Sequence, residues 1–257
     1  MKAAILTDVT KCIGCGQCEI ACKKVHNLKD DVPRRWDEDD GLSARDWTSL
    51  VSGPKDTHVR KQCRHCLEPA CVSACPVGAM HQTEIGAVIY DSAKCMGCRY
   101  CMMACPYGIP RYEWESAVPY VRKCILCYDR IRQGQQPACT EACPTKATIF
   151  GDRSALLREA HRRIAEKPNL YINHVWGETE GGGSSVLYIA DVDLSFLTGG
   201  HEIASSPLPN KTAKAMDAVP YAFCGVLALM GGLNWVIKRR NKLMEEKEKE
   251  NGQGTEL

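Results

Sequence analysis

Residues 95–106 read CMGCRYCMMACP and residues 12–22 read CIGCGQCEIAC, each a C-x2-C-x2-C-x3-C run. Three cysteines spaced in this way let a loop wrap one face of a metal–sulfur cubane. The fourth lies one helical turn further on and faces elsewhere. This is the bacterial ferredoxin run, in which three thiolates hold one [4Fe-4S] cluster and the fourth reaches a second. Gly14 and Gly97 let the loops turn tightly with no Cβ in the way, so that loop amides reach the sulfurs and tune their potential. Two further stretches keep the pattern with one gap widened. CRHCLEPACVSACP at 63–76 is C-x2-C-x4-C-x3-C, and CILCYDRIRQGQQPACTEACP at 124–144 is C-x2-C-x11-C-x3-C. Pro76, Pro106 and Pro144 redirect the chain after the last cysteine of three runs; the first has Lys23 there.

Sixteen of the 17 cysteines thus fall into four groups: Cys12, Cys15, Cys18 and Cys22; Cys63, Cys66, Cys71 and Cys75; Cys95, Cys98, Cys101 and Cys105; Cys124, Cys127, Cys139 and Cys143. Sixteen thiolates suffice for four clusters, with none left over. Cys224 stands alone and reads as a packing residue. Structural zinc also takes four cysteines, but as two pairs, not as a repeated triplet with a displaced fourth. C-x2-C neighbours seldom suit structural disulfides, an odd count cannot all pair within the chain, and the chain is not small. No C-x3-C-x2-C triplet of a radical enzyme occurs.

The remaining composition is ordinary. Of 257 residues 44% are hydrophobic and 25% charged, which excludes disorder over the whole length, and a net charge of +2 gives no reason to expect nucleic acid. Lys11, Lys23, Lys24, Lys61, Arg64, Lys94, Arg99, Arg122 and Lys123 crowd the cysteines. Cations there offset the negative charge of thiolate-ligated clusters, although each taken singly reads as solvated surface. None of the seven His sits in a haem motif. His65, inside the second run, is a candidate cluster neighbour and not a ligand, since four cysteines already suffice. No Walker loop, dinucleotide fingerprint or nucleophile–base pair is evident. The reading is an electron-transfer subunit and not a catalyst; the rival classes are a soluble polyferredoxin carrier and an enzyme with its own substrate pocket.

Short strands are expected at 3–7, 58–61, 87–90 and 120–122, with short helices after the fourth cysteines. The fold class is α+β, with clusters replacing much of the core. Residues 27–56 form an insertion with Trp36, Trp47 and an acidic run at 37–40, either a surface loop with packed tryptophans or a docking surface for a partner subunit. Residues 152–167 read as an amphipathic helix with Leu156, Ala160 and Ile164 on one face and Leu157 beside it, ended by Pro168. A turn at 181–183, a strand at 186–192 and a linker marked by Pro207, Pro209 and Asn210 follow.

Residues 218–237, AVPYAFCGVLALMGGLNWVI, carry no charge. Twenty residues span about 30 Å as a helix, the hydrocarbon thickness, and a soluble carrier has no need of them. Tyr221 and Trp235 sit at the two ends as an aromatic belt. Gly225, Gly231 and Gly232 are tolerable in lipid, where small residues let helices approach. Lys238, Arg239, Arg240 and Lys242 follow directly, against Lys211 and Lys214 before the span. The positive-inside rule then sets the polar tail 238–257 in the cytoplasm and the cysteine groups outside. Residues 1–12 hold no apolar core of signal-peptide length, so export of a folded chain would rest on a partner's twin-Arg signal; cytoplasmic clusters are the alternative.

The four-group pattern resembles the four-cluster iron–sulfur (beta) subunit of the molybdopterin oxidoreductases, which include formate dehydrogenase, dimethyl sulfoxide reductase, nitrate reductase and polysulfide reductase. The iron–sulfur subunit of a membrane hydrogenase is similar. The resemblance covers residues 3–197. LSARDWT at 42–48, CRYCMMACPYGIPR at 98–111, GQQPACTEACPTKATIFG at 134–151 and the C-terminal span look most like the membrane-bound formate dehydrogenase beta subunit, while KQCRHCLEPACVSACPVGA at 61–79 also looks like the hydrogenase partner. The hydrogenase type usually carries its own export signal, and the nitrate reductase type replaces one cysteine by Trp; here all sixteen are Cys. The resemblance implies two ferredoxin-like halves over 1–210, each with two [4Fe-4S] clusters, and a nested ligation. Cys12, Cys15, Cys18 and Cys143 hold one cluster, and Cys22, Cys124, Cys127 and Cys139 the second. Cys63, Cys66, Cys71 and Cys105 hold the third, and Cys75, Cys95, Cys98 and Cys101 the fourth. It also implies two partners, a catalytic molybdopterin subunit (or hydrogenase) and an integral membrane subunit carrying haem b or a quinone site.

Overall fold

The computed structural model describes residues 2–29, 40–114 and 116–252. Trp36 and positions 37–39 of the acidic run lie outside the described residues. In chain order the elements are β1 (Ala3–Asp8), α1 (Gln17–His26), β2 (Thr48–Ser52), β3 (His58–Gln62), α2 (Ala70–Ser73), β4 (Met80–Gln82), β5 (Val88–Tyr90), α3 (Tyr100–Ala104), β6 (Arg111–Tyr112) and β7 (Val121–Arg122). They continue with α4 (Tyr128–Arg132), α5 (Ala138–Glu141), β8 (Thr148–Asp152), α6 (Arg153–Glu166), β9 (Val186–Ile189) and α7 (Leu208–Gly252). The chain divides into two compact units, Met1–Pro209 and Asn210–Leu257.

In the first unit β1, AAILTD, is buried at every position, as a short apolar run covered on both faces should be. It is the central strand of a three-stranded sheet, antiparallel to β8 with Ala3 opposite Asp152, and parallel to β9 with Ile5 opposite Val186. α6 covers one face: Leu156, Ala160 and Ile164 pack on Ala4, Leu6, Leu187 and Ile189, with Leu157 against the cluster. Asp152 caps α6, its carboxylate accepting from Ser154 N at 3.0 Å. At the end of β1 the buried Asp8 accepts hydrogen bonds from the Tyr171 hydroxyl (2.9 Å), Thr10 (2.7 Å) and Arg163 (3.1 Å), which ties the far end of α6 to the sheet. Three two-stranded pairs, β2–β3, β4–β5 and β6–β7, frame the cysteine loops.

The expected strands at 3–7, 58–61, 87–90 and 120–122 are found as β1, β3, β5 and β7, each with one end shifted by one residue. β9 is shorter than expected and stops at Ile189, although Ala190 and Val192 stay buried. The short helices are displaced from their expected places after the fourth cysteines. α1 carries Cys18 and Cys22, while α2, α3 and α5 start before Cys71, Cys101 and Cys139 and end before the fourth cysteine of their run. The turn of helix is what lifts the last cysteine away from its neighbours, so it has to precede that cysteine.

The second unit holds nearly all of α7, whose segment Leu208–Lys247 is long and apolar enough to cross a membrane, with a mean hydropathy of 1.5 in its most apolar window. Pro209 and Asn210, expected in a linker, lie inside the first turn of α7, where proline costs no hydrogen bond. Pro220 is tolerated within the helix. The Arg239 guanidinium packs 5.5 Å from the Trp235 ring one turn earlier, an arrangement suited to a membrane–water boundary.

Candidate metal centres

Each C-x2-C loop carries a left-handed residue immediately before its second cysteine: Gly14 (φ +67°), His65 (φ +48°), Gly97 (φ +75°) and Leu126 (φ +59°). At Gly14 the turn also needs the missing Cβ, which would lie 2.5 Å from the His58 ring. At His65 and Leu126 packing holds the strained backbone. His65 is wholly buried with Nδ1 accepting from Val88 N at 2.9 Å, and Leu126 belongs to the core with Ala3 and Ile5.

The loops and helices gather the thiols in sets. One cavity is lined by Cys12, Cys15, Cys18 and Cys143, and also by Cys139 and Arg60. A second is lined by Cys22, Cys124, Cys127 and Cys139, beside His26 and Gln62. A third is lined by Cys75, Cys95, Cys98 and Cys101. Cys66 is in electrostatic reach of Cys63, Cys71 and Cys105. Cys63, Cys66 and Cys105 also share one apolar cluster with Cys124. Cys18 and Cys22, four apart on α1, thus serve different cavities.

Backbone amides point at the sulfurs. Gly97 N donates to Cys95 and Leu126 N to Cys124, each at 3.4 Å, and Met80 N to Cys75 at 3.5 Å. His26 Nε2 lies 3.4 Å from Cys127 Sγ. Burial pushes the thiols upward, Cys18 and Cys101 to about 11 and Cys71 to about 12. At Cys75 and Cys143 burial acts the same way, but amides of residues 77–80 and of Thr145, Ala147 and Thr148 outweigh it and hold them below the usual thiol range. Among the described residues no group of three or more His, Cys, Asp or Glu converges closely enough to hold a single metal ion. All-sulfur donor sets, glycine-tight loops and amides aimed at sulfur fit the wider cubane, whose core charge would hold the buried thiols as thiolates.

Comparison with known proteins agrees with this chemistry. Residues 56–153 match a 4Fe-4S dicluster domain and residues 10–25 a 4Fe-4S binding domain. A protein of Nitratidesulfovibrio vulgaris is 39% identical over 263 residues, 96% of this chain and 70% of that one. The hydrogenase-2 operon protein HybA of Escherichia coli is 36% identical over 282 residues, 93% of this chain and 84% of its own. The formate dehydrogenase-O iron-sulfur subunit of Escherichia coli is 35% identical over 274 residues, 97% of this chain and 90% of its own. The chain belongs to this family of iron–sulfur subunits.

In this iron–sulfur subunit most of the cations that crowd the cysteines also have partners other than sulfur, while the charges of Arg64 and Lys123 still act on Cys66 and on Cys71 and Cys105. Lys23 pairs with Asp46 and Lys61 with Asp40 (both 2.7 Å), and Arg122 with Glu113 (2.7 Å). Arg99 lies over Tyr112 and Trp114, and Arg64 is buried against Tyr188 and Tyr107. Lys123 is also buried, its Nζ donating to the carbonyls of Val88 and Cys124. His65 lines none of the three thiol cavities; burial, then Lys123, holds it neutral. Cys224 is exposed on α7. Among the residues against the thiols that the sequence reading did not single out are His26 and Arg60. Neither lies in a cysteine run, and Arg60 sits in a strand pattern that reads as ordinary alternation.

Proposed function

We propose that this subunit carries electrons through four [4Fe-4S] clusters between a catalytic subunit and a membrane subunit bearing haem b or a quinone site, and is not itself the catalyst. The observation that supports the reading is that thiols from different runs meet: Cys143 lines a cavity with Cys12, Cys15 and Cys18, Cys22 one with Cys124, Cys127 and Cys139, and Cys75 one with Cys95, Cys98 and Cys101. Cys12, Cys15, Cys18 and Cys143 hold one cluster; Cys22, Cys124, Cys127 and Cys139 a second. Cys63, Cys66, Cys71 and Cys105 hold a third; Cys75, Cys95, Cys98 and Cys101 a fourth. The first two and the last two form the two ferredoxin-like halves. Bound there, each cluster supplies one-electron oxidation and reduction.

The protein's part is to fix spacing, exclude water and present ends for docking. Ile13 and Ile20 are exposed beside the Cys12 loop, and Met96, Tyr100 and Met103 beside the Cys95 loop; apolar side chains left uncovered over redox sites suit partner contacts. The catalytic partner is a molybdenum or tungsten formate dehydrogenase. A hydrogenase partner is the second reading, favoured by the equally extensive similarity to HybA. α7 anchors the chain, with the cations after Ile237 in the cytoplasm and the cluster domain in the periplasm. Metal and sulfide analysis of the intact chain, with identification of the proteins that co-purify, tests the reading. About sixteen irons and sixteen acid-labile sulfides are expected; stoichiometric zinc, or about twelve irons or fewer, overturns it.

A further inference from the structure

β3 sets Arg60 in the interior with only 2% of its surface exposed. No well-formed hydrogen bond reaches its three guanidinium nitrogens among the described residues, although the Cys139 side chain lies within reach of one. A guanidinium stays charged at any physiological pH, and a buried charge without a counter-charge is strongly disfavoured. The groups that face it are sulfurs from two different sets. Arg60 lines the cavity of Cys12, Cys15, Cys18 and Cys143, and its charge acts on Cys12 and Cys18 of that set and on Cys22 and Cys127 of the other. Its strongest partners are Cys139 and Cys18, one from each set. The backbone is pinned as well: Arg60 O accepts from the buried Tyr188 hydroxyl at 2.8 Å, and the residue pairs with Leu50 across the β2–β3 hairpin.

Neutral thiols do not compensate a buried cation. Thiolate-ligated clusters, which are net negative, do. We infer that Arg60 is a positioning residue shared by the two clusters of this half, a fixed internal cation that favours the reduced state of both and screens the charge on one from the other. The inference rests on the proposed four-cluster reading. Adding one electron to either cluster makes it more negative, so a cation between them stabilises the reduced form more than the oxidised one. Removing that charge lowers both potentials. The other two clusters, assigned to the second half, are left nearly unchanged.

The test is a redox titration of the full chain in its native complex, followed by electron paramagnetic resonance, on Arg60→Gln and Arg60→Lys, with iron counted in each. With Arg60→Gln the reduction equilibrium constants of two clusters should fall about tenfold or more, which is 59 mV for a one-electron couple, while the other two hold their values. Arg60→Lys keeps the charge and should restore most of the shift. Should Arg60→Gln lose clusters while Arg60→Lys keeps about sixteen irons and near-native potentials, the requirement for charge stands. Native potentials in an iron-replete Arg60→Gln, or loss of clusters from both variants, overturns the inference. A wild-type chain with about twelve irons or fewer fails the four-cluster reading instead, and the iron count separates the two failures.

Discussion

Four residues at one loop position, Gly14, His65, Gly97 and Leu126, share a backbone conformation that the sequence marks at only two of them. Glycine announces a left-handed turn; His65 and Leu126 do not, because burial and packing hold them there. Arg60 was equally hidden, since nothing in a strand such as HVRKQ says that both faces will be covered. The cysteines and two glycines were legible because cluster ligation fixes residue type and spacing together. Gly14 gives a direct prediction. Gly14→Ala has to force a left-handed Ala, at about 1–2 kcal/mol, and also displace the His58 ring. Gly108 has a similar φ (+59°) with nothing near the position of a Cβ, so Gly108→Ala bears only the backbone cost. Iron content after mild heating should therefore fall in Gly14→Ala well before it does in Gly108→Ala, and equal losses would show that the ring contact is irrelevant.

At the scale of elements, a four-residue helix has no period to detect, which is why the short helices were expected on the wrong side of the fourth cysteines. α6, with four turns and an apolar stripe, was placed within one residue at each end. α1 carries the sharpest element-level prediction. Cys18 and Cys22 lie one turn apart and line different cavities, so Cys22→Ser should perturb the cluster assigned to Cys124, Cys127 and Cys139 and spare that of Cys12, Cys15 and Cys18. Single-cluster loss read by paramagnetic resonance checks this, and loss of the cluster in the first loop would refute the nested ligation.

The insertion gives another. The last residue of its acidic run, Asp40, turns inward: it pairs with Lys61 (2.7 Å) and Arg111 (2.6 Å) and accepts from Leu42 N (3.0 Å). Of the two readings of the insertion, packed loop or docking surface, Asp40 takes the first; so does Trp47, whose indole N–H donates to Ala44 O and whose ring lies 4.9 Å from His26. Burial pushes the Asp40 carboxyl up, but Lys61 and Arg111 together outweigh it and hold it below the usual range. A depressed carboxylate stabilises the fold above its unfolded value, near 4, and the gain is lost as pH falls through the folded value. Asp40→Asn should therefore cost about 1–3 kcal/mol, undiminished between about pH 5 and 8 where the group stays ionised. Thermal unfolding across that window checks it; a gap that closes within it would mean that Asp40 titrates there.

For the whole molecule the division at Pro209 follows from chemistry that the sequence displayed openly. No cysteine of the four runs lies beyond Cys143, and the continuous uncharged stretch lies in 218–237. What the sequence concealed was the start of α7, because Pro207, Pro209 and Asn210 look like punctuation when two of them are first-turn residues of the helix. A helix with exposed Leu227, Leu229, Leu233 and Ile237 gains stability by entering lipid, which can satisfy no stray backbone polar group and therefore favours a continuous helix. Deleting residues 211–257 removes that surface and no sulfur ligand. The truncated subunit should keep about sixteen irons, still be reduced in the presence of its catalytic partner, and leave the membrane fraction, so that electrons pass poorly to quinone in vesicles. In the full chain a label introduced after Lys242 should react only from the cytoplasmic side, where the proposed orientation sets the tail behind Lys238, Arg239, Arg240 and Lys242. Tight membrane retention of the truncated chain would move the anchor elsewhere, and labelling of the tail from the periplasmic side would reverse the orientation while leaving the electron-transfer role intact.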